Sequence, residues 1–229
     1  MRNRKRVSAM GQEIELMTEQ GERFQAYLSG SDESIGGILI LHEWWGVKPH
    51  NRQWADQFAN VGYQALVVDL YDGRVTEDAE QAAQWMREID QQAADRKLIA
   101  GIEYLSRRGR KIAVYGCSFG GKQAMQASLL KPELVDATVM AYCRMETDPV
   151  KLAQLQGPVL AIYAEQERNW PEKQHNFEQA MSEAGKLTES VSYDAAHGFT
   201  NPTSPRYDEV ADKAAWQVVI DFLQQEIAG

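Results

Sequence analysis

Gly116-Cys117-Ser118-Phe119-Gly120-Gly121 is the stretch of this chain best suited to chemistry. It follows Lys111–Tyr115, which reads as a short buried strand, and precedes Lys122–Ala127, which reads as a helix. A Gly-x-Ser-x-Gly run between strand and helix predicts a nucleophile elbow, a tight turn that holds the Ser118 hydroxyl above a sheet edge. The flanking glycines suit a turn that is strained and closely approached by neighbouring backbone.

A serine hydroxyl is a weak nucleophile at neutral pH. It needs a base within hydrogen-bond reach and a third group that orients the base. After such an elbow the acid comes next in the chain and the histidine last. Only His175 and His197 follow Ser118. His175 falls in Trp170–Ala184, an amphipathic helical pattern, and reads as a surface residue. His197 falls in the loop Ala195–Phe199 after the expected strand Glu189–Tyr193, and is the expected base. The acid should lie just beyond the strand Val159–Tyr163, where Glu165 and Glu167 both stand. Glu167 is favoured because such turns commonly spend three residues before the acid; Glu165 is the alternative. Two backbone N–H groups should meet the developing oxyanion, one from Phe119 and one from Trp44 in the loop His42–Gly46.

The elements that position these groups are nearly continuous apolar runs. They are Ile38–Leu41, Ala65–Val68, Ile112–Tyr115, Thr138–Ala141 and Val159–Tyr163, and strands apolar at every position are covered on both faces. Helical patterns lie between them. Trp54, Phe58 and Val61 share a face that stops at Gly62, Thr76 is an expected cap, and Leu98, Ile102 and Leu105 continue toward Gly109. Val218, Ile220 and Phe222 sit in a last helix. Before them, Ile14–Thr18 and Phe24–Leu28 read as a hairpin. The expectation is one α/β domain over residues 1–229, with a mostly parallel, doubly wound sheet, an N-terminal hairpin and a flexible tail over 1–10. Reactive groups in such sheets sit beyond the carboxyl ends of the strands.

Composition narrows the function. Net charge is −9, from 24 basic and 33 acidic residues, which argues against a nucleic-acid partner. No apolar run approaches the ~20 residues of a membrane span. Two cysteines make a poor disulfide framework, so a reduced, cytoplasmic setting is expected. No histidine spacing suggests a metal and no Gly-rich phosphate loop is present, so neither metal nor cofactor is expected.

Together the motifs resemble the dienelactone hydrolase family of α/β hydrolases. The likeness spans most of the chain after Ile35. It rests on His42-Glu43-Trp44-Trp45-Gly46, Asp69-Leu70-Tyr71, the Gly116–Gly121 elbow, Glu167 with Pro171 following, and Ala196-His197-Gly198-Phe199. The resemblance implies a three-layer α/β-hydrolase fold and cleavage of a small ester or lactone by a monomer or small homo-oligomer. It also implies that Glu43 contacts the resting nucleophile; the alternative is a buried carboxyl that orders its loop. The aromatic residues Trp45, Tyr71, Tyr142 and Phe199 at strand ends are expected to bind substrate.

Three positions depart from the family pattern. Serine stands where cysteine is usual, with Cys117 one residue earlier. The acid is glutamate instead of aspartate. No arginine follows His197 at the family spacing, leaving Arg74, Arg144 and Arg206 as replacements. These departures leave open a catalytically impaired binding protein on the same scaffold, or a shifted register with Cys117 as nucleophile.

Overall fold

A computed structural model describes residues 11–228 of the chain; the expected tail lies outside them. One eight-stranded sheet organises the molecule. Its strands are β1 (Gln12–Met17), β2 (Arg23–Ser29), β3 (Gly37–Leu41), β4 (Gln64–Val68), β5 (Ile112–Cys117), β6 (Ala137–Ala141), β7 (Val159–Ala164) and β8 (Thr188–Tyr193). They lie in the order β1-β2-β4-β3-β5-β6-β7-β8. The hairpin β1–β2 joins β4 antiparallel, and every pairing from β4 to β8 is parallel.

Parallel strands need crossover connections, and helices supply them. The described helices are α1 (Pro49–Asn60), α2 (Ala79–Glu88), α3 (Gln91–Ser106), α4 (Phe119–Leu130), α5 (Pro149–Leu152), α6 (Glu172–Glu183) and α7 (Glu209–Ile227). Alternate side chains of β3 enter different layers. Ile38 and Ile40 join the cluster holding Trp54 and Phe58 of α1 and Leu223 of α7. Leu39 and Leu41 join the cluster holding Leu98, Ile102 and Leu105 of α3. On that second face α6 contributes Phe177 and Met181 to a further cluster beside β6 and β7. The fold is the three-layer α/β-hydrolase arrangement.

Three local features differ from the expectation. Asp78, not Thr76, caps α2: its side chain accepts from Gln81 N–H, while Thr76 Oγ1 accepts from Asp78 N–H outside the helix. The helical pattern through Leu105 is also broken at Ile89, because Asp90 accepts from the Gln92 and Ala93 amides and starts α3 afresh. The burying face of α1 ends at Phe58, since Val61 is the residue after the helix and is exposed. Among the described residues, no helix is long and apolar enough to cross a membrane.

Strand order reverses at β3, which has β4 on one side and β5 on the other. A crevice opens at the carboxyl ends of strands where the winding reverses. The pairing Leu41↔Gly116 puts the loop after β3 against the turn after β5, at the mouth of that crevice.

Candidate active site

The turn after β5 is built on backbone constraint. Ser118 has φ 55° and ψ −120°, a left-handed conformation that L-residues rarely adopt. Its N–H is anchored on the Ala141 carbonyl at 2.9 Å. A Cβ on Gly116 would overlap the Gly120 carbonyl, and one on Gly120 would overlap the Leu41 carbonyl. Only glycine lets β5, α4 and the end of β3 meet this closely.

Three side chains from three separate loops converge there. Ser118 Oγ lies 2.8 Å from His197 Nε2. His197 Nδ1 lies 2.6 Å from Glu167 Oε1. With Nδ1–H donated to the carboxylate, Nε2 is free to accept the serine proton. Glu165 is elsewhere, its Oε1 accepting from Ser192 Oγ at 2.6 Å. The other oxygen of Glu167 accepts from Lys173 Nζ at 2.6 Å. Burial pushes the Glu167 carboxyl up, but the hydrogen bonds and charges of His197 and Lys173 outweigh it and hold the group below the ordinary carboxylate value. Such a depressed acid adds stability above its unfolded value, and that stability is lost as pH falls through the folded one.

These groups open into a cavity of about 750 Å³. Phe119 and Tyr142 form part of its wall, Met86, Ile89 and Met145 give it an apolar side, and Lys122 and Arg144 give it cations. The Trp44 and Phe119 amides are not spent on any turn or side-chain hydrogen bond among the described residues. A crevice of this size with a few convergent polar groups is the usual form of a small-molecule site.

Residues 24–227 match the dienelactone hydrolase family. The chain belongs to that family. It is 23% identical over 229 residues to Protein usf of Aquifex pyrophilus, covering 94% of this chain and 99% of the relative. Two solved structures share the fold. A dienelactone hydrolase of Anabaena variabilis superposes with TM-score 0.73 at 21% identity, over 95% of this chain and 99% of its own. A dienelactone hydrolase-like promiscuous phosphotriesterase from metagenomic libraries superposes with TM-score 0.82 at 17% identity, over 95% and 99%. As a dienelactone hydrolase family member, the protein is a hydrolase of that type.

Several of the expected site residues lie elsewhere. Ser118 Oγ bonds to His197, and the Glu43 carboxyl is engaged by other partners. Its Oε2 accepts from His50 Nε2–H at 3.1 Å and from Asn201 Nδ2–H at 2.8 Å. Asn201 Oδ1 accepts from Thr203 N–H and Oγ1–H, which fixes the amide orientation. The carboxyl thus ties the loop after β3 to the first turn of α1 and to the histidine loop. Tyr71 is fully buried between His42 and Phe119, with ring centroids 4.8 and 5.5 Å away, because Asp69 accepts from the Tyr71 and Gly73 amides and turns the chain inward. Phe199 is also fully buried, packed behind Tyr142 and Tyr193. Trp45 packs edge-on against Trp44 and does not line the cavity. Of the four aromatics expected to bind substrate, Tyr142 alone borders it, and that side chain too is fully buried, its hydroxyl turned to Thr200 Oγ1 at 2.6 Å.

Arg144 is the one candidate arginine on the cavity wall. Arg74 lies over the Trp85 ring, 5.0 Å from its centroid, and Arg206 is exposed. His175 is exposed on α6, as its pattern predicted. His42 is a packing residue. Its Nδ1–H donates to the Glu43 carbonyl at 2.6 Å, its Nε2 accepts from Leu70 N–H at 3.1 Å, and burial holds its pKa down. Lys173, His50 and Asn201 were not anticipated. Only His50 had a sequence signal, as a histidine in the proline-started helix just after the motif loop.

Cys117 points away from the cavity into the layer beneath the sheet. Its thiol donates to Tyr115 Oη at 3.4 Å and lies 3.7 Å from Thr200 Oγ1, which is 2.6 Å from Tyr142 Oη. Burial pushes the Cys117 and Cys143 thiols up to about 12. Buried thiols held in the protonated form and shielded from reagent are poor targets for alkylation. Iodoacetamide should therefore leave the native protein unmodified by intact mass and fully active, and should modify both thiols in urea. Rapid native alkylation of Cys117 with loss of activity would instead restore the shifted-register reading.

Proposed function

We propose that the protein hydrolyses small carboxylic esters or lactones, with Ser118 as nucleophile, His197 as general base and Glu167 as the acid that orients it. The supporting observation is the unbroken hydrogen-bond line from Ser118 Oγ to His197 at 2.8 Å and on to Glu167 at 2.6 Å. Nε2 takes the hydroxyl proton as Oγ attacks the carbonyl carbon. The tetrahedral oxyanion sits against the Trp44 and Phe119 amides, each worth about 3 kcal/mol of barrier by analogy with similar holes. At Trp44 the donor is backbone, so only proline among side-chain substitutions would remove it.

Collapse of the intermediate breaks the ester or ring C–O bond, and His197 returns the proton to the departing oxygen. Water, deprotonated by His197, then attacks the acyl-enzyme and frees the acid and Ser118. The apolar wall of Met86, Ile89 and Met145 suits a short hydrocarbon portion of the substrate. No cofactor enters this scheme.

A fluorophosphonate probe tests the reading directly. One adduct, located on Ser118 by peptide mass spectrometry, is expected, together with turnover of short p-nitrophenyl esters and of simple lactones. An unlabelled protein that turns over neither ester nor lactone would overturn the proposal.

A further inference from the structure

Glu167 spends one carboxylate oxygen on His197 and the other on Lys173 Nζ, 2.6 Å away. Lys173 is the second residue of α6, and its N–H is held on the Asn169 carbonyl at 2.8 Å. The two side chains are only 10% and 12% exposed. An ammonium so far from water is costly unless paired, so this contact differs from the exposed ion pairs that contribute little. Lys173 also lines the reactive cavity.

We propose that Lys173 is a positioning residue for hydrolysis: its ammonium pins the outer oxygen of Glu167, so that the inner oxygen stays aimed at His197 Nδ1. The inference rests on the reading of Ser118, His197 and Glu167 given above. Glutamate has one more side-chain torsion than the aspartate usual in the family. A carboxylate on that longer arm can pivot about its end, and a cation on the second oxygen stops the pivot. The same charge helps hold the Glu167 carboxyl in its ionised form, the form that orients the base.

The other groups that face this centre are few. Lys122 and Arg144 stand on the cavity wall, Glu172 opens α6, and Cys143 lies buried beside them as a thiol. Tyr142 presents its ring to His197 at 5.1 Å. Among the described residues, Lys173 and His197 are the two cation-forming side chains in contact with Glu167.

Three variants separate positioning from bulk stability. Lys173→Met removes donor and charge, Lys173→Gln keeps a donor without charge, and Lys173→Arg keeps both. With p-nitrophenyl acetate, Lys173→Met should lose roughly tenfold to a hundredfold in kcat with KM little changed, the range of one charge-assisted hydrogen bond. Lys173→Gln should lose less, but the acid limb of its kcat/KM–pH profile should move up by roughly 0.5–1 unit. Lys173→Arg should restore both. A purely structural lysine would lower Tm and leave the acid limb where it is. An acid limb unmoved in Lys173→Gln, the variant least disturbing to the fold, overturns the inference. Turnover that survives Ser118→Ala overturns the reading on which it rests, whatever the lysine variants do.

Discussion

Ser118→Ala should lower kcat for a p-nitrophenyl ester by roughly 10⁴- to 10⁶-fold while leaving Tm close to that of the unsubstituted protein. The range follows from the roles. Without Oγ there is no acyl-enzyme, and what remains is water attack assisted by the Trp44 and Phe119 amides and by binding. A factor of 10⁶ is about 8 kcal/mol of barrier, more than any one supporting contact supplies. His197→Ala should fall as far. The double variant should be no worse than either single one, because nucleophile and base act as a unit. Steady-state rates at matched enzyme concentration decide it. A tenfold loss or less in Ser118→Ala, or additive losses in the double variant, would mean that the hydrogen-bond line does not carry the chemistry.

The second large effect concerns stability. Glu43→Ala should cost about 3–5 kcal/mol, read as a shift in the urea midpoint at constant slope. Its carboxyl is buried and accepts from both His50 and Asn201. Truncation leaves two buried donors with no acceptor, and an unmet donor costs more than a made bond contributes. Glu43→Gln keeps an acceptor oxygen in the same place and should lose much less. For a chain of this size, 3–5 kcal/mol corresponds to roughly 6–20 °C in Tm. Equal and small losses in both variants would remove Glu43 from its role as the tie between the loops.

Much of this was legible before any coordinates. Strands covered on both faces announce themselves: β3, β4, β5, β6 and β7 are buried at every position, and each matches an apolar run to within two residues at its ends. The order of Ser118, Glu167 and His197 was readable because an elbow fixes where its partners must arise. Choosing Glu167 over Glu165 rested on loop length, and the two carboxyls indeed part company, one to His197 and one to Ser192.

What escaped depended on direction, not on identity. Tyr71 and Phe199 stand at the correct strand ends, yet the turn around Asp69 and the packing of Tyr142 point them inward. Thr76 and Asp78 are both good caps, and only the backbone path decides between them. Lys173 could not be found from spacing, because it meets Glu167 across a turn whose shape no periodicity encodes. Asn201 was hidden for a related reason: 158 positions separate it from its acceptor Glu43, and nothing local marks it.

The tethering of the histidine loop reaches beyond geometry. Thr200 is tied to Tyr142 and Asn201 to Glu43, so the segment carrying His197 is fastened on the side away from the cavity. An imidazole mounted this way has little freedom to wander between turnovers, and little needs to settle before each one. Heating should then give no intermediate regime of folded but inert molecules: the temperature at which turnover collapses and the temperature at which the sheet comes apart should coincide.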